Sequence, residues 1–271
     1  MKFELLDKGS LRLIDVMPAV DADGAIVSAA RVSYGAGTKA TSSKRALIRY
    51  LMRNRHSSPF EMIEFKFHIK APIFVARQWF RHRTGSFNEI SGRYSLMTDD
   101  FFEPAANEIE AQSVDNKQGR QPGLEDSSQQ FAALTMRAVP AHAFADYKTL
   151  IELGVARELA RMILPLSTYT EFIWKVDLLN LMKFIQLRAD SHAQAEIRVY
   201  ADALATIVEA RAPLTFEAFN DYWRNSVTLS AQEWAAIKAS LTEGQRADIA
   251  DAAAPALANS ELAALKARLA P

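Results

Sequence analysis

One stretch of this chain brings together side chains that have little reason to share a core. Residues 81–93, Arg81-His82-Arg83-Thr84-Gly85-Ser86-Phe87-Asn88-Glu89-Ile90-Ser91-Gly92-Arg93, hold three arginines, a histidine, a glutamate, two serines, an asparagine and two glycines. The segment has neither helical nor strand apolar periodicity, so burial of its own side chains is not its purpose. Its last three residues, Ser91-Gly92-Arg93, offer a hydroxyl, backbone amides and a guanidinium. Gly92 carries no side chain to hinder close approach to the backbone, and successive amides can form an anion nest. Arginine binds phosphate bidentately. Together these groups read as a site for a phosphate monoester; alone, the same three residues would be a surface turn with a solvated arginine. Glu89 would repel a phosphate and suits a sugar hydroxyl, for which a carboxylate is a good acceptor.

The elements that must position these groups lie just upstream. Met62 to Lys70 alternates, with Ile63, Phe65, Phe67 and Ile69 on one face and Glu64, Lys66, His68 and Lys70 on the other. This predicts a half-buried antiparallel strand. Pro72 fits the first turn of a helix running from Ile73 to about His82, apolar at Ile73, Phe74, Ala76 and Phe80. That helix places Arg77, Gln78 and Arg81 on one side.

Elsewhere, residues 2–6 and 11–17 read as strands around a Gly9-Ser10 turn. Asp21 to Ser33 reads as a helix with Ile26, Ala29, Ala30 and Val32 inward, followed by a flexible Tyr34-Gly35-Ala36-Gly37 loop that lacks the third glycine of a dinucleotide fingerprint. Ser42 or Ser43 caps the next helix, which carries Ala46, Leu47, Tyr50 and Leu51 and ends near Asn54. His56 to Glu61 is a turn. Residues 105–128 are polar and predict a mobile loop able to act as a lid. Phe131 to Leu153 is helical with a kink at Pro140, Val155 to Leu164 is a short helix, and Leu166 to Val176 is a strand. Leu178 to Leu187 and Ser191 to Ala210 are helices, the second with Ile197, Ala201, Leu204 and Val208 at helical spacing and ended by Pro213. From Ser226 the composition turns alanine-rich, opening on a Ser230–Glu233 capping box. The expected architecture is α+β: an antiparallel sheet flanked by helices, in a domain of residues 1–225, with a helical C-terminal extension at 226–271.

Composition narrows the function. The 271 residues carry 32 basic and 32 acidic side chains, a formal net charge of +0. Such a balance argues against nucleic-acid or membrane-surface binding, while the local cluster Arg77, Arg81, Arg83 and Arg93 suits one small polyanion. No run reaches the length of a membrane span, and the opening Met1-Lys2-Phe3-Glu4 is not secretory, so a cytoplasmic protein is expected. There is no cysteine, which excludes thiolate chemistry. No histidine spacing suggests a metal site, and none is expected.

The spacing Arg-His-Arg-x-x-Ser-x-Asn-x-x-Ser-x-Arg resembles the signature of the flavin-dependent thymidylate synthases, and residues 81–93 fill every fixed position. A second landmark, Arg188-Ala189-Asp190-Ser191-His192-Ala193-Gln194, is similar to another motif of that family. The likeness runs from about Val27 to Phe219. It implies reductive methylation of deoxyuridine monophosphate (dUMP) to thymidylate, with methylenetetrahydrofolate as carbon donor and flavin adenine dinucleotide (FAD), reduced by NADPH, as hydride carrier.

By the same resemblance dUMP would meet Gln78, Arg81, Glu89, Ser91, Gly92, Arg93, Arg161 and Arg188. FAD would meet Ser58, Glu61, Arg81, His82, Arg83 and Glu89, and the loop after Ala-Arg-Val-Ser would lie near it. Arg188 would activate the uracil. His56 matches a histidine near flavin and folate, although a lone histidine serves equally well as a structural residue. Many members carry asparagine, arginine and asparagine where this chain has Asp177, Leu179 and Lys183. Asp177 and Lys183 remain the candidates there for the adenine end of FAD. The resemblance also implies a homotetramer with sites shared between chains.

The missing cysteine fits this chemistry. Hydride addition at uracil carbon 6 would leave an enolate already nucleophilic at carbon 5, and a fixed guanidinium would stabilise its charge. Two rivals share the residues: another flavoenzyme on the same scaffold, and a nucleic-acid-binding module using the arginine cluster.

Overall fold

The computed structural model describes residues 1–33 and 42–270; the Tyr34-Gly35-Ala36-Gly37 loop lies outside them. The chain opens with β1 (Lys2–Leu5), β2 (Gly9–Met17), α1 (Ala22–Val32), α2 (Lys44–Arg53) and the one-turn α3 (Ser58–Glu61). Next come β3 (Glu64–Pro72), α4 (Ile73–Trp79), β4 (Ser86–Glu89), the two-residue β5 (Ala111–Gln112) and β6 (Arg120–Gln121), and the long α5 (Asp126–Glu152). The one-turn α6 (Arg157–Ala160), β7 (Tyr169–Asp177), α7 (Leu178–Arg188), α8 (Ala195–Arg211) and α9 (Pro213–Phe219) complete a unit spanning Met1–Phe219. A second unit, Asn220–Pro271, holds α10 (Ala231–Ser240), α11 (Glu243–Ala253) and α12 (Asn259–Leu269).

The main sheet is antiparallel throughout, in the order β1-β2-β3-β7-β4. Alternation along β3 does what its pattern dictates: Phe65, Phe67 and Ile69 are completely buried. Register sets Phe67 opposite Trp174 and Ile69 opposite Phe172 on β7, so one face of the central pair is a layer of large apolar side chains. Its other face is polar, with His68 Nε2 3.0 Å from Glu171 and Lys175 Nζ 3.3 Å from Glu64. The architecture is therefore α+β, with helices packed on the apolar face of the sheet.

Trp79 is the knot of this core. Its ring lies 4.6 Å from Phe184 of α7, 5.3 Å from Trp174, 5.5 Å from Phe172 and 5.7 Å from Tyr200 of α8, centroid to centroid. One side chain thus ties α4 to β7, α7 and α8. Val75, Ala76 and Trp79 are the buried residues of α4, whereas the expected Ile73 and Phe80 are only half-buried. The helix is also shorter than expected, stopping at Trp79.

The structure corrects several other expectations. The β1–β2 turn is Leu6-Asp7-Lys8, with Leu6 at a φ of 56°, because Leu5 pairs with Gly9 and places that glycine inside β2. A Cβ at Gly9 would fall 2.1 Å from Tyr200 Oη, so the strand needs a bare backbone there. Val32 and Tyr50 face solvent; Val27 and Ile48 take the inward positions. Ser58 and Pro59 open a helical turn instead of a simple reversal, and Pro213 begins α9 as well as ending α8.

The signature segment is part strand: β4 pairs with the free edge of β7, and Phe87 packs 4.9 Å from Phe80 and 5.9 Å from Trp174. Residues 105–128 carry a 3-10 turn and the β5–β6 hairpin. Arg120 holds that hairpin to Glu196 on α8, with Nη1–Oε1 at 2.7 Å. Pro140 sits within a helix that continues through it to Glu152. Among the described residues no helix is long and apolar enough to cross a membrane.

In the C-terminal unit Ser230 and Glu233 form the expected capping box, with each side chain bonded to the other's backbone amide at 3.2 and 2.7 Å. Arg268 lies 5.4 Å over the Trp234 ring, and Tyr222 bonds Glu261.

Trp79→Ala should remove about 3–5 kcal/mol of stability, the usual cost of emptying a large aromatic site. Denaturant titration will measure it. A loss under about 1 kcal/mol would show that the four contacting elements are held by something else.

Candidate active site

The geometry of α4 follows from its two ends. Pro72 starts it in extended conformation, and the first two amides bond to the segment that precedes β7, Ile73 N to Thr168 O at 2.9 Å and Phe74 N to Leu166 O at 3.1 Å. Trp79 faces the core, so Arg77 and Gln78 turn outward. After the helix ends, Arg81 N bonds Gln78 O at 3.3 Å and His82 N bonds Trp79 O at 3.0 Å, which keeps both residues on the line of the helix.

α7 approaches from the other side. It starts directly from β7, capped by Asp177, which accepts from Asn180 N at 2.9 Å and from Asn180 Nδ2 at 2.7 Å. Leu181, Met182, Phe184 and Ile185 are fully buried, and Arg188 is the last helical residue.

The two motifs, separated by about a hundred residues, meet here. Arg77, Gln78, Arg81, His82, Arg188 and Gln194 line a cavity of about 950 Å³. Arg188 Nε donates to His82 Nε2 at 3.0 Å, and Arg188 Nη2 to the carbonyl of Gln78 at 3.4 Å. The amide of Gln78 bonds that of Gln194. Burial, then the charge of Arg188, holds the His82 imidazole far below its usual range, at about 4. It is therefore neutral at pH 7, and since Nε2 accepts, its proton sits on Nδ1. Burial, then the nearby Arg81 cation, lowers the basicity of Arg188 as well.

The turn after α7 is built tightly, which is why α8 starts at Ala195 and not at Ser191. His192 N bonds Asp190 Oδ1 at 2.8 Å, and Arg198 Nη2 donates to the carbonyls of Ser191 and Ala193 at 3.0 and 2.8 Å. The His192 backbone bond, then its side chain, lowers the Asp190 pKa. The β5–β6 hairpin adds Gln118 to the cavity wall.

Ser91, Gly92, Arg93 and Arg161 form a second cluster. The chain turns at Ser91, whose carbonyl accepts from Tyr94 N and Ser95 N, both at 3.0 Å, while Ser91 Oγ accepts from Arg93 N at 3.3 Å. A Cβ at Gly92 would meet Met97 Sδ at 3.0 Å and Arg161 Cδ at 3.1 Å. The missing side chain is thus what lets Arg161 close over this turn. Arg93 and Glu158 form an exposed ion pair at 3.4 Å, worth little in water and easily exchanged for a stronger anion. Glu89 Oε1 accepts from the Thr170 hydroxyl at 2.6 Å, which fixes the carboxylate at the end of β4.

The remaining expected residues do not line the cavity. His56 follows α2, edge-on to Tyr50 at 5.6 Å. Ser58 and Glu61 are exposed on α3, and Arg83 and Lys183 are exposed cations. Leu179 is buried in the core. Sequence reasoning assigned no role to Gln194, although it stands in the second motif, nor to Thr170, Gln118 or Arg157, whose guanidinium holds the Tyr94 carbonyl at 2.6 Å. Only the first had a signal: an amide at a fixed place in a recognisable motif.

The family described as thymidylate synthase complementing protein matches residues 12–214. A flavin-dependent thymidylate synthase of Thermus thermophilus is 53% identical over 238 residues, 88% of this chain and 85% of that protein. One from Gluconobacter oxydans is 51% identical over 232 residues, 84% and 76% of the two chains. Among solved structures, a UMP/dUMP methylase, PolB from Streptomyces cacaoi bound with 5-Br dUMP, superposes with a TM-score of 0.71 at 35% identity, covering 82% of this chain and 99% of its own. With both motifs meeting at one cavity, and relatives of this identity along most of its length, the chain belongs to the flavin-dependent thymidylate synthases, a family of methyltransferases.

Proposed function

We propose that this enzyme converts dUMP to thymidylate, with methylenetetrahydrofolate giving the carbon and FAD, reduced by NADPH, carrying hydride. The observation that carries the reading is the bond between Arg188 and His82, which joins the two motifs at one cavity. Three guanidiniums and three side-chain amides around the cavity, with no cysteine anywhere in the chain, suit a substrate on which negative charge develops without an enzyme nucleophile.

When bound, reduced flavin supplies hydride to carbon 6 of the uracil. Arg188 and Arg81 then stabilise charge spreading over the ring nitrogen and carbonyl oxygens. The partial burial of Arg188 makes its interaction stronger than it would be in water. Gln78, steadied by Gln194, presents its remaining amide capacity to the ring edge. Ser91, the Gly92 amide, Arg93 and Arg161 bind the phosphate, and Glu89 takes a sugar hydroxyl.

The donor set also fits the flavin: exposed Arg81, Arg83 and Lys183 suit a diphosphate, while Ser58 and Glu61 supply a hydroxyl and an acceptor. Asp177 keeps lone pairs beyond its two capping bonds for the adenine end. His56 stands with this group for proton transfer. We take the two arginine clusters to belong to sites completed between chains of a homotetramer, acting in the cytoplasm. Residues 226–271 are then a helical extension appended to a catalytic domain of residues 1–225.

Purified protein should show a flavin spectrum that bleaches anaerobically with NADPH and recovers only when methylenetetrahydrofolate and dUMP are both present, yielding thymidylate. A different methylated or reduced product would favour another flavoenzyme.

Arg188→Ala should keep fold and flavin while turnover falls at least about a hundredfold, as for loss of one transition-state donor. Normal turnover would remove Arg188 from the chemistry. Ser91→Ala with Arg93→Ala should raise the KM for dUMP by about tenfold or more, two charge-assisted bonds being lost. Gly92→Ala, which pushes Arg161 outward, should raise it in the same direction. Unchanged KM values would rule out this turn as the phosphate site.

A further inference from the structure

His82 makes a contact that flavin binding does not require. Its backbone amide is tied to Trp79 O, and its ring lies 4.7 Å from the ring of Phe184, which is itself fully buried against Trp79 and Trp174. The imidazole therefore stands on a rigid aromatic floor, and its Nε2 meets Arg188 Nε at 3.0 Å. With Nε taken by His82, and Nη2 near the Gln78 carbonyl, the plane of the guanidinium is fixed.

We propose that His82 is a positioning residue for the uracil-binding arginine: it orients Arg188 through a hydrogen bond from Nε while leaving the arginine's positive charge uncancelled for the substrate. The inference rests on the reading of Arg188 given above.

The alternative acceptors explain why an imidazole stands here. A carboxylate at the same place would hold Arg188 equally well, but as an ion pair, sharing the charge that the substrate needs. A neutral ring holds the geometry without that competition. Both bonds from Arg188 go to neutral acceptors, the imidazole and a backbone carbonyl. The charged group acting on the ring, Arg188 from α7, is a cation, and Arg81 beside Arg188 is another, so the ring stays an acceptor. Its folded-state value of about 4 against an ordinary 6.5 means the arrangement is complete above pH 6.5 and is lost as pH falls through 4.

The test compares His82→Gln, whose amide oxygen can replace Nε2, with His82→Ala and His82→Glu in the full-length protein. Turnover should fall less than about tenfold in the glutamine variant and about a hundredfold or more in the alanine and glutamate variants, with kcat moving more than KM. The Arg188 Nε–H resonance, assigned by its loss in Arg188→Lys, is read on flavin-free protein. It should stay slowly exchanging in the wild type and the glutamine variant and be lost in alanine. The glutamine variant should also lose less stability than wild type between pH 6.5 and 4.

Equal turnover in the alanine, glutamine and glutamate variants, or an Nε–H signal unmoved by His82→Ala, would overturn the proposal. If instead Arg188→Ala keeps normal turnover, the failure lies in the substrate role of Arg188, and the resonance still reports on the bond itself.

Discussion

Two cations held side by side in a half-buried cavity set the terms for this fold. Arg81 and Arg188 stand close enough that one depresses the basicity of the other. Neighbouring like charges repel, and flexible arginines would swing apart. The structure prevents this by mechanical means: Trp79 anchors the element that delivers Arg81, and Phe184 anchors the element that delivers Arg188. The aromatic layer under the site is thus more than filling. It converts apolar burial, which has no direction, into the fixed placement of two groups that would otherwise separate.

This placement also explains the asymmetry between the two arginine clusters. Arg188 ends α7, and Arg81 follows α4 in a turn tied back to it, both over the aromatic part of the core. The Ser91–Arg93 cluster belongs to an exposed turn, braced by Arg157 on the Tyr94 carbonyl and by the close approach of Arg161 to Gly92. On the proposed reading this suits the ligand: a flat ring demands rigid geometry, while a phosphate, with charge on several oxygens, tolerates a turn that adjusts.

Much of this was legible in the sequence where local pattern and tertiary demand agree. The alternation of Ile63 to Ile69 produced a buried strand face, and helical spacing placed Arg77, Gln78 and Arg81 together. Legibility failed where a distant partner decided the outcome. Ser86 to Glu89 has no strand pattern because a short edge strand needs only Phe87 inward and a neighbour with a free edge, and that neighbour is β7, more than eighty residues away. Gly9 looked like a turn residue, but its lack of a side chain serves the Tyr200 hydroxyl. The polar run at 105–128 suggested mobility; Arg120 and Glu196, far apart in the chain, hold its hairpin in place. The meeting of Arg188 with His82 was not legible: the family likeness gave one to dUMP and the other to FAD, and no local pattern encodes their bond.

The strand order carries a consequence for how the molecule is made. β3 and β4 emerge early, yet the strand that must lie between them, β7, ends only at Asp177. Until then β3 has an unpaired backbone edge beside its apolar face, and the signature segment has nothing to pair with. Non-local strand pairing of this kind is slow and leaves apolar surface open to association. On the ribosome the chain therefore holds a sticky, unfinished half-sheet through the synthesis of roughly a hundred further residues, and the signature segment acquires its shape only after the second motif's own helix has begun to follow it.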